Sequence, residues 1–319
     1  MANPNYDEIL TTTIANYRNK MVDNIFSRRS LAYFLKEKGR VQMEDGGVKI
    51  VEQMILTLAQ GQGSYAGYDT LSTATSDTGT AAEYPWKQFY GTVAIDGLSE
   101  MKNSGANVLI KLLQEKVSQA EETMLENLNT MWFGNGTGNG GKDMLGLSAL
   151  VGDNLSAITT VGGIDCTLAE NIKWRSYIRR LTGANNFSQA HWRKAINTVT
   201  FGSKKPEIAI TTQDVFERYE GELQPSVRYE DVDAANAGFT NLTFKKIPIM
   251  FDDAATAGDT TFLNLEFLRI VGHSKKWFVN TPFVTPYDKD AKWSHILVGG
   301  QMTTNGRRYQ ARVEGQTVV

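Results

Sequence analysis

Between residues 104 and 133 the apolar positions Leu109, Leu113, Val117, Ala120, Met124, Leu128 and Met131 recur every three or four residues, the period of one helix face. Lys111, Gln114, Glu115, Ser118, Glu121, Glu122 and Glu126 fall mostly off that stripe. Asn103 or Ser104 can cap the start, and Gly134 supplies a left-handed stop. The spacing predicts a helix ~45 Å long at ~1.5 Å per residue. It should lie on a sheet, because its period is not the strict heptad of a coiled coil. Upstream, Tyr6, Leu10, Ile14, Tyr17, Met21 and Ile25 form a second stripe. Ser30 is placed to cap a short helix carrying Leu31, Phe34 and Leu35 and ending at Gly39. This arm either packs on its own domain or on a neighbouring subunit.

Two runs read as strands: residues 48–56, rich in β-formers, and the alternation of Phe89, Gly91, Val93 and Ile95 with Tyr90, Thr92, Ala94 and Asp96. Residues 59–86 between them are Gly, Ser, Thr, Ala and Asp without apolar period. Loops that long are functional or disordered in compact domains. The two flanking strands can instead continue outward as a hairpin arm, which must pack on something else to be ordered. Downstream the pattern is mixed. Helical spacing at 174–181 and 190–199 precedes the run Ile208-Ala209-Ile210. Thr212 or Gln213 then opens a helix with Val215, Phe216 and Tyr219. Strand-like runs follow at 247–251, 261–265 and 296–299, with a last alternation of Tyr309, Ala311 and Val313.

Composition narrows the choice of function. Hydrophobic residues make up 41% and charged residues 21%, enough for a sizeable core. A net charge of −2 excludes a chain built chiefly to grip nucleic acid. Within it, residues 1–40 carry +3 and residues 41–100 carry −6. One cysteine, Cys166, excludes an internal disulfide framework and any cysteine-rich zinc site. No stretch reaches the ~18–20 apolar residues of a membrane span. Residues 1–8 lack the basic and apolar regions of a secretory signal, so a reducing, intracellular setting is expected and the four glycosylation sequons read as chance matches.

The most suggestive chemistry is Gly134 to Asp143, where Gly136 to Lys142 matches G-x-x-x-x-G-K. A phosphate loop needs Ser or Thr after the lysine and a preceding strand. Here Asp143 follows the lysine and a helix precedes the loop, so a helix-ending turn is expected. His191, His273 and His295 show no ligand spacing. The carboxylate pairs Glu121–Glu122, Asp231/Asp233, Asp252–Asp253 and Asp288/Asp290 read as surface charge. Lys173, Arg175, Arg179, Arg180, Arg193 and Lys194, interleaved with Trp174 and Trp192, fall on expected helices; contacts between copies suit them better than a nucleic-acid groove. No catalytic constellation, metal site or cofactor site emerges, and no enzyme is expected.

The order of elements resembles the major capsid protein of tailed bacteriophages, an α+β chain of the Hong Kong 97-like fold. The resemblance is carried by Trp86 through Leu147, including Phe133-Gly-Asn-Gly-Thr-Gly and Met144-Leu-Gly-Leu, by Phe239 through Phe251, by Phe262-Leu-Asn-Leu, and by Gly299 through Arg308. It implies an N-terminal arm at 1–40, and an E-loop hairpin with flanking strands at 41–100, the loop itself at about 57–86. A spine helix and turn would occupy 101–144, an axial domain 145–265, and 266–319 would return to the peripheral domain. It further implies pentamers and hexamers closing an icosahedral shell around double-stranded DNA, assembled in a bacterial cytoplasm. Portal and decoration proteins are its expected partners and, since the chain opens directly on the arm, a scaffolding function is expected either from a separate scaffolding protein or from a segment removed beforehand. An encapsulin-like compartment is the alternative within the fold; a nucleotide-binding enzyme using residues 136–142 is the alternative outside it. Contacts between copies are assigned to Tyr65, Tyr68, Tyr84 and Trp86 of the loop and to Arg28, Arg29, Lys36 and Lys38 of the arm, whose positive charge would meet the −6 region of the next copy. Some members weld their subunits through an E-loop lysine, but no Lys lies between Lys49 and Lys87, so that crosslink is not expected.

Overall fold

The computed structural model describes residues 29–56, 61–73, 79–102, 106–152, 158–183, 186–223 and 242–317, with the side chains of Glu100 and residues 106–114 left out. Helix α1 (Ser30–Glu37) leads to strand β1 (Val41–Glu44), a hairpin of β2 (Ile50–Ile55) and β3 (Gly79–Tyr84), β4 (Lys87–Asp96) and the long helix α2 (Ala106–Phe133). Next come β5 (Tyr177–Arg180), α3 (Gln189–Val199), β6 (Ile208–Thr211), α4 (Gln213–Glu222), β7 (Leu242–Phe244) and β8 (Ile247–Phe251). The chain closes with β9 (Thr260–Leu263), β10 (Leu268–His273), β11 (Val279–Asn280), β12 (Ala291–Thr304) and β13 (Ala311–Glu314).

Two sheets organise these elements. The first runs β1-β10-β12-β11, with β4 also paired to β12 from Ala291↔Asp96 to Gly300↔Lys87. The second runs β5-β13-β9-β6-β8-β7. Helix α2 lies along β4, and Val117, Met124, Leu128 and Trp132 bury its inner face. Gly91 of β4 makes room for it: a Cβ there would meet Met124 Sδ at 2.4 Å. Charge misplaces one residue in the pattern. Glu121 is buried on the stripe rather than lying off it.

The second sheet is buried on both faces, which is why Ile208-Ala209-Ile210 reads as a continuous apolar run. Ile208 and Ile210 point into the main core, whereas Ala209 joins the core under α3 and α4. Four expectations are corrected. The 174–181 segment is a 3₁₀ turn (Ala169–Trp174) followed by β5, because Tyr177–Arg180 pair in parallel with β13. Arg179 and Arg180 are therefore on a strand. The strands flanking the long excursion do not pair with each other: β2 pairs with β3, and β4 with β12. The closing strand β13 enters the second sheet, between β5 and β9, instead of returning to the first. Ser30 does not cap α1; its hydroxyl donates to Asp252 Oδ2 at 3.2 Å.

Candidate assembly surface

The hairpin β2–β3 has a tightly held root and a bare outer part. At the root, Glu52 is buried and accepts hydrogen bonds from Arg269 (3.1 Å) on β10 and from the Thr303 hydroxyl (2.8 Å) on β12. The Tyr84 hydroxyl donates to the Thr304 carbonyl at 2.8 Å, and burial pushes its phenol well above the usual range. Trp86 Nε1 donates to the Gly47 carbonyl at 3.0 Å, and its ring meets His273 edge-on at 5.4 Å. Lys49 and Glu83 pair across the two strands at 2.5 Å. Beyond this root every residue of 61–73 is exposed, including Tyr65 (67%), Tyr68 (106%) and Leu71 (59%). Val51 and Ile55 add apolar surface on the outer side of β2.

Beside the root, the outer face of the first sheet carries a second uncovered apolar area. Gln88, Phe89, Tyr90, His295 and Leu297 line a recess of about 350 Å³. Tyr90 and Trp293 flank the His295 ring at 5.6 and 4.3 Å, and the Thr92 hydroxyl lies 3.0 Å from His295 Nδ1. Aromatic residues with a polar tip, left open in this way, suit contact surfaces between proteins.

Comparison with known proteins bears on the fold that carries these surfaces. No family model matches the chain, and no curated protein matches it. Solved structures do. The capsid asymmetric unit of cyanophage A-1(L) is 17% identical, with a TM-score of 0.60 over 88% of this chain and 91% of that one. The capsid of a native GTA particle is 8% identical, with a TM-score of 0.61 over 88% and 89%. The holo-SrpI encapsulin complex from Synechococcus elongatus is 10% identical, with a TM-score of 0.52 over 75% and 79%. The chain has the fold of phage capsid proteins.

Within this capsid fold the assigned contact residues separate into three groups. Tyr65 and Tyr68 are exposed on the hairpin, Tyr68 fully so. Trp86 is half-buried at the root, and Tyr84, 0% exposed, belongs to the chain's own core, so it is withdrawn from any surface. Arg28 lies outside the described residues. Arg29 forms an ion pair with Asp253 of its own chain, just after β8, while Lys36 and Lys38 are exposed at the end of α1. Helix α1 itself packs inward through Leu31, Ala32, Phe34 and Leu35.

The glycine-rich loop is a turn. Asn139 and Gly140 adopt left-handed conformations, and Lys142 N–H is taken by the Gly138 carbonyl. Lys87 Nζ donates to the Gly141 carbonyl and ties this turn to the hairpin root. Among the described residues no group of three His, Cys, Asp or Glu side chains comes together as a metal site, and no helix is long and apolar enough to cross a membrane.

Two polar clusters escape sequence reading. Asp252, expected as surface charge, is buried and accepts from Asn129 Nδ2 (2.7 Å) on α2, the Ser30 hydroxyl on α1 and the Ala254 N–H (3.1 Å). Burial, with Asp253 alongside, raises its pKa. Arg307 is fully buried against Cys166, whose thiol burial pushes up. The adjacent-carboxylate pattern at 252–253 is the only local trace of the first cluster, and the second leaves none.

Proposed function

We propose that this chain is a structural shell subunit, the major capsid protein of a tailed phage, and not an enzyme. The observation that carries the reading is the hairpin: its root is locked by Glu52 and Tyr84, while its aromatic outer part is left exposed by the described residues. Exposed aromatic surface of this kind is stabilised when another protein buries it. In this reading 57–86 is the E-loop lying across the next copy, and α2 is the spine helix. The second sheet with α3 and α4 forms the axial domain. Copies assemble as pentamers and hexamers into an icosahedral shell around double-stranded DNA, in the host cytoplasm, with a scaffolding protein, a portal and decoration proteins as partners. A near-neutral chain suits a wall that contains DNA without gripping it.

Negative-stain microscopy and sedimentation of the purified protein test this. Closed particles are expected; a single-copy species at all concentrations overturns the reading. SDS gels of those particles should show one band, since the hairpin offers no lysine for a crosslink. The likeness to the encapsulin complex supports a second reading, a compartment that stores protein cargo. Particle contents decide between them: nucleic acid for the first, a co-purifying cargo protein for the second.

A further inference from the structure

The two outer helices of the second sheet carry opposite charge. Both rest on the same side of that sheet, locked by Trp192 of α3 against Tyr219 of α4 at 5.0 Å. The outward face of α3 presents Arg193 and Lys194, and the helix has no acidic residue. Lys245, in the β7–β8 turn, donates to Asn197 Oδ1 at 2.6 Å and adds a third cation beside it. Ala190, Arg193, Lys194, Asn197 and Thr198 line a groove of about 400 Å³ there. The outward face of α4 presents Asp214, Glu217 and Glu220, while its one arginine, Arg218, is engaged by Glu222 at 3.6 Å. A cationic face thus stands beside an anionic one. Among the ion pairs of the described residues, none joins the two helices.

We propose that the basic face of α3 on one copy seats against the acidic face of α4 on the next. The two faces differ, so the contact is head-to-tail, and a repeated head-to-tail contact closes into a ring when the rotation allows. Charge complementarity between the faces favours a second copy over DNA, which would leave the acidic face unexplained. This inference rests on the shell reading and names the surfaces that meet around its rings. Exposed charge pairs contribute steering and register more than affinity, so the expected signature is kinetic and salt-dependent.

Assembly of the full chain, followed by light scattering with microscopy of the products, tests it. Arg193→Glu with Lys194→Glu, and separately Glu217→Lys with Glu220→Lys, should each slow assembly at least tenfold at low salt. The four-site variant, with both faces reversed, should recover the wild-type rate. Unchanged thermal melting of the unassembled variants shows that they remain folded. Wild-type protein that assembles alongside reversed variants at equal rates overturns the pairing and leaves the shell reading intact, as does a four-site variant that fails to recover. Loss of nucleic-acid content on basic reversal, with the assembly rate unchanged, also overturns it. Wild-type protein that never forms particles overturns both.

Discussion

Arg307 sits in the main core against three neutral acceptors. Its Nε donates to the Leu150 carbonyl at 2.7 Å, one Nη to the Ala149 carbonyl at 3.4 Å, and the other to Cys166 Sγ at 3.0 Å. The two carbonyls close the helical turn Leu147–Leu150, where backbone acceptors lack partners within the helix. Burial draws the arginine pKa below its ordinary value, opposed by Cys166 and Tyr84. The guanidinium therefore serves as a buried cap. Arg307→Met keeps the length and strands the carbonyls, at about 1–3 kcal/mol for each buried group left unpaired; urea unfolding of the unassembled subunit should show a loss of roughly that size. Asp252 makes the opposite kind of prediction. Its raised pKa means the folded chain prefers the protonated acid, so its contribution is fully present below the unfolded pKa and is lost as pH rises through the folded one. Asp252→Asn keeps the shape without the charge. The variant should exceed wild type in stability at pH 7, and the difference should shrink as pH falls into the carboxylate range. A difference that is flat with pH would show that burial does not oppose the Asp252 charge.

Helix α2 shows why some elements are legible in sequence and others are not. Its stripe runs in unbroken period from Leu109 to Met131, and burial at Val117, Met124 and Leu128 follows that period directly. The same holds for α3, α4 and β4, each with one apolar face against one layer. Strand β3 was not legible, since Gly79-Thr-Ala-Ala-Glu-Tyr84 has small residues and no alternation; only pairing with Ile50–Ile55 makes it a strand. Strand β5 reads as helix in the sequence because Trp174, Tyr177, Ile178 and Leu181 mimic helix spacing, and a distant partner, β13, overrides it. The place of β13 is likewise a long-range pairing that no local pattern encodes. Of the candidate surface, the exposed tyrosines and the aperiodic stretch were legible. The buried anchors Glu52 and Asp252 were not, since charge reads as surface until a partner is known. Turn glycines are legible as turns, but their tolerances are not. A Cβ on Gly146 would lie 2.3 Å from the Met131 carbonyl and 2.4 Å from that of Trp132, both rigid backbone at the end of α2. Gly146→Ala should therefore lower stability by about 1–3 kcal/mol, the cost of an overpacked site, visible as a lower thermal midpoint; an unchanged midpoint would mean that the helix end yields.

In the proposed shell the exposed hairpin is where one chain's surface would become another chain's interior. Tyr65 and Tyr68 are exposed among the described residues, so Tyr65→Ser with Tyr68→Ser should change the unfolding free energy of the isolated chain by no more than the ~0.5 kcal/mol typical of surface changes. Assembly should respond quite differently. A buried aromatic contributes on the order of 150–250 Å², several kcal/mol at about 25 cal/mol per Å² before ordering costs. Ordering a loop and its side chains takes back a large part, yet ~1.4 kcal/mol surviving per copy is a tenfold change in an equilibrium constant. Because every copy would make the same contact, the loss recurs around the whole particle. The concentration at which particles first appear should rise at least tenfold, with subunits still folded below it. If that threshold stays unchanged, the exposed tyrosines are ordinary surface, and the apolar burial joining neighbours must be sought elsewhere, first at the recess lined by Phe89, Tyr90, His295 and Leu297.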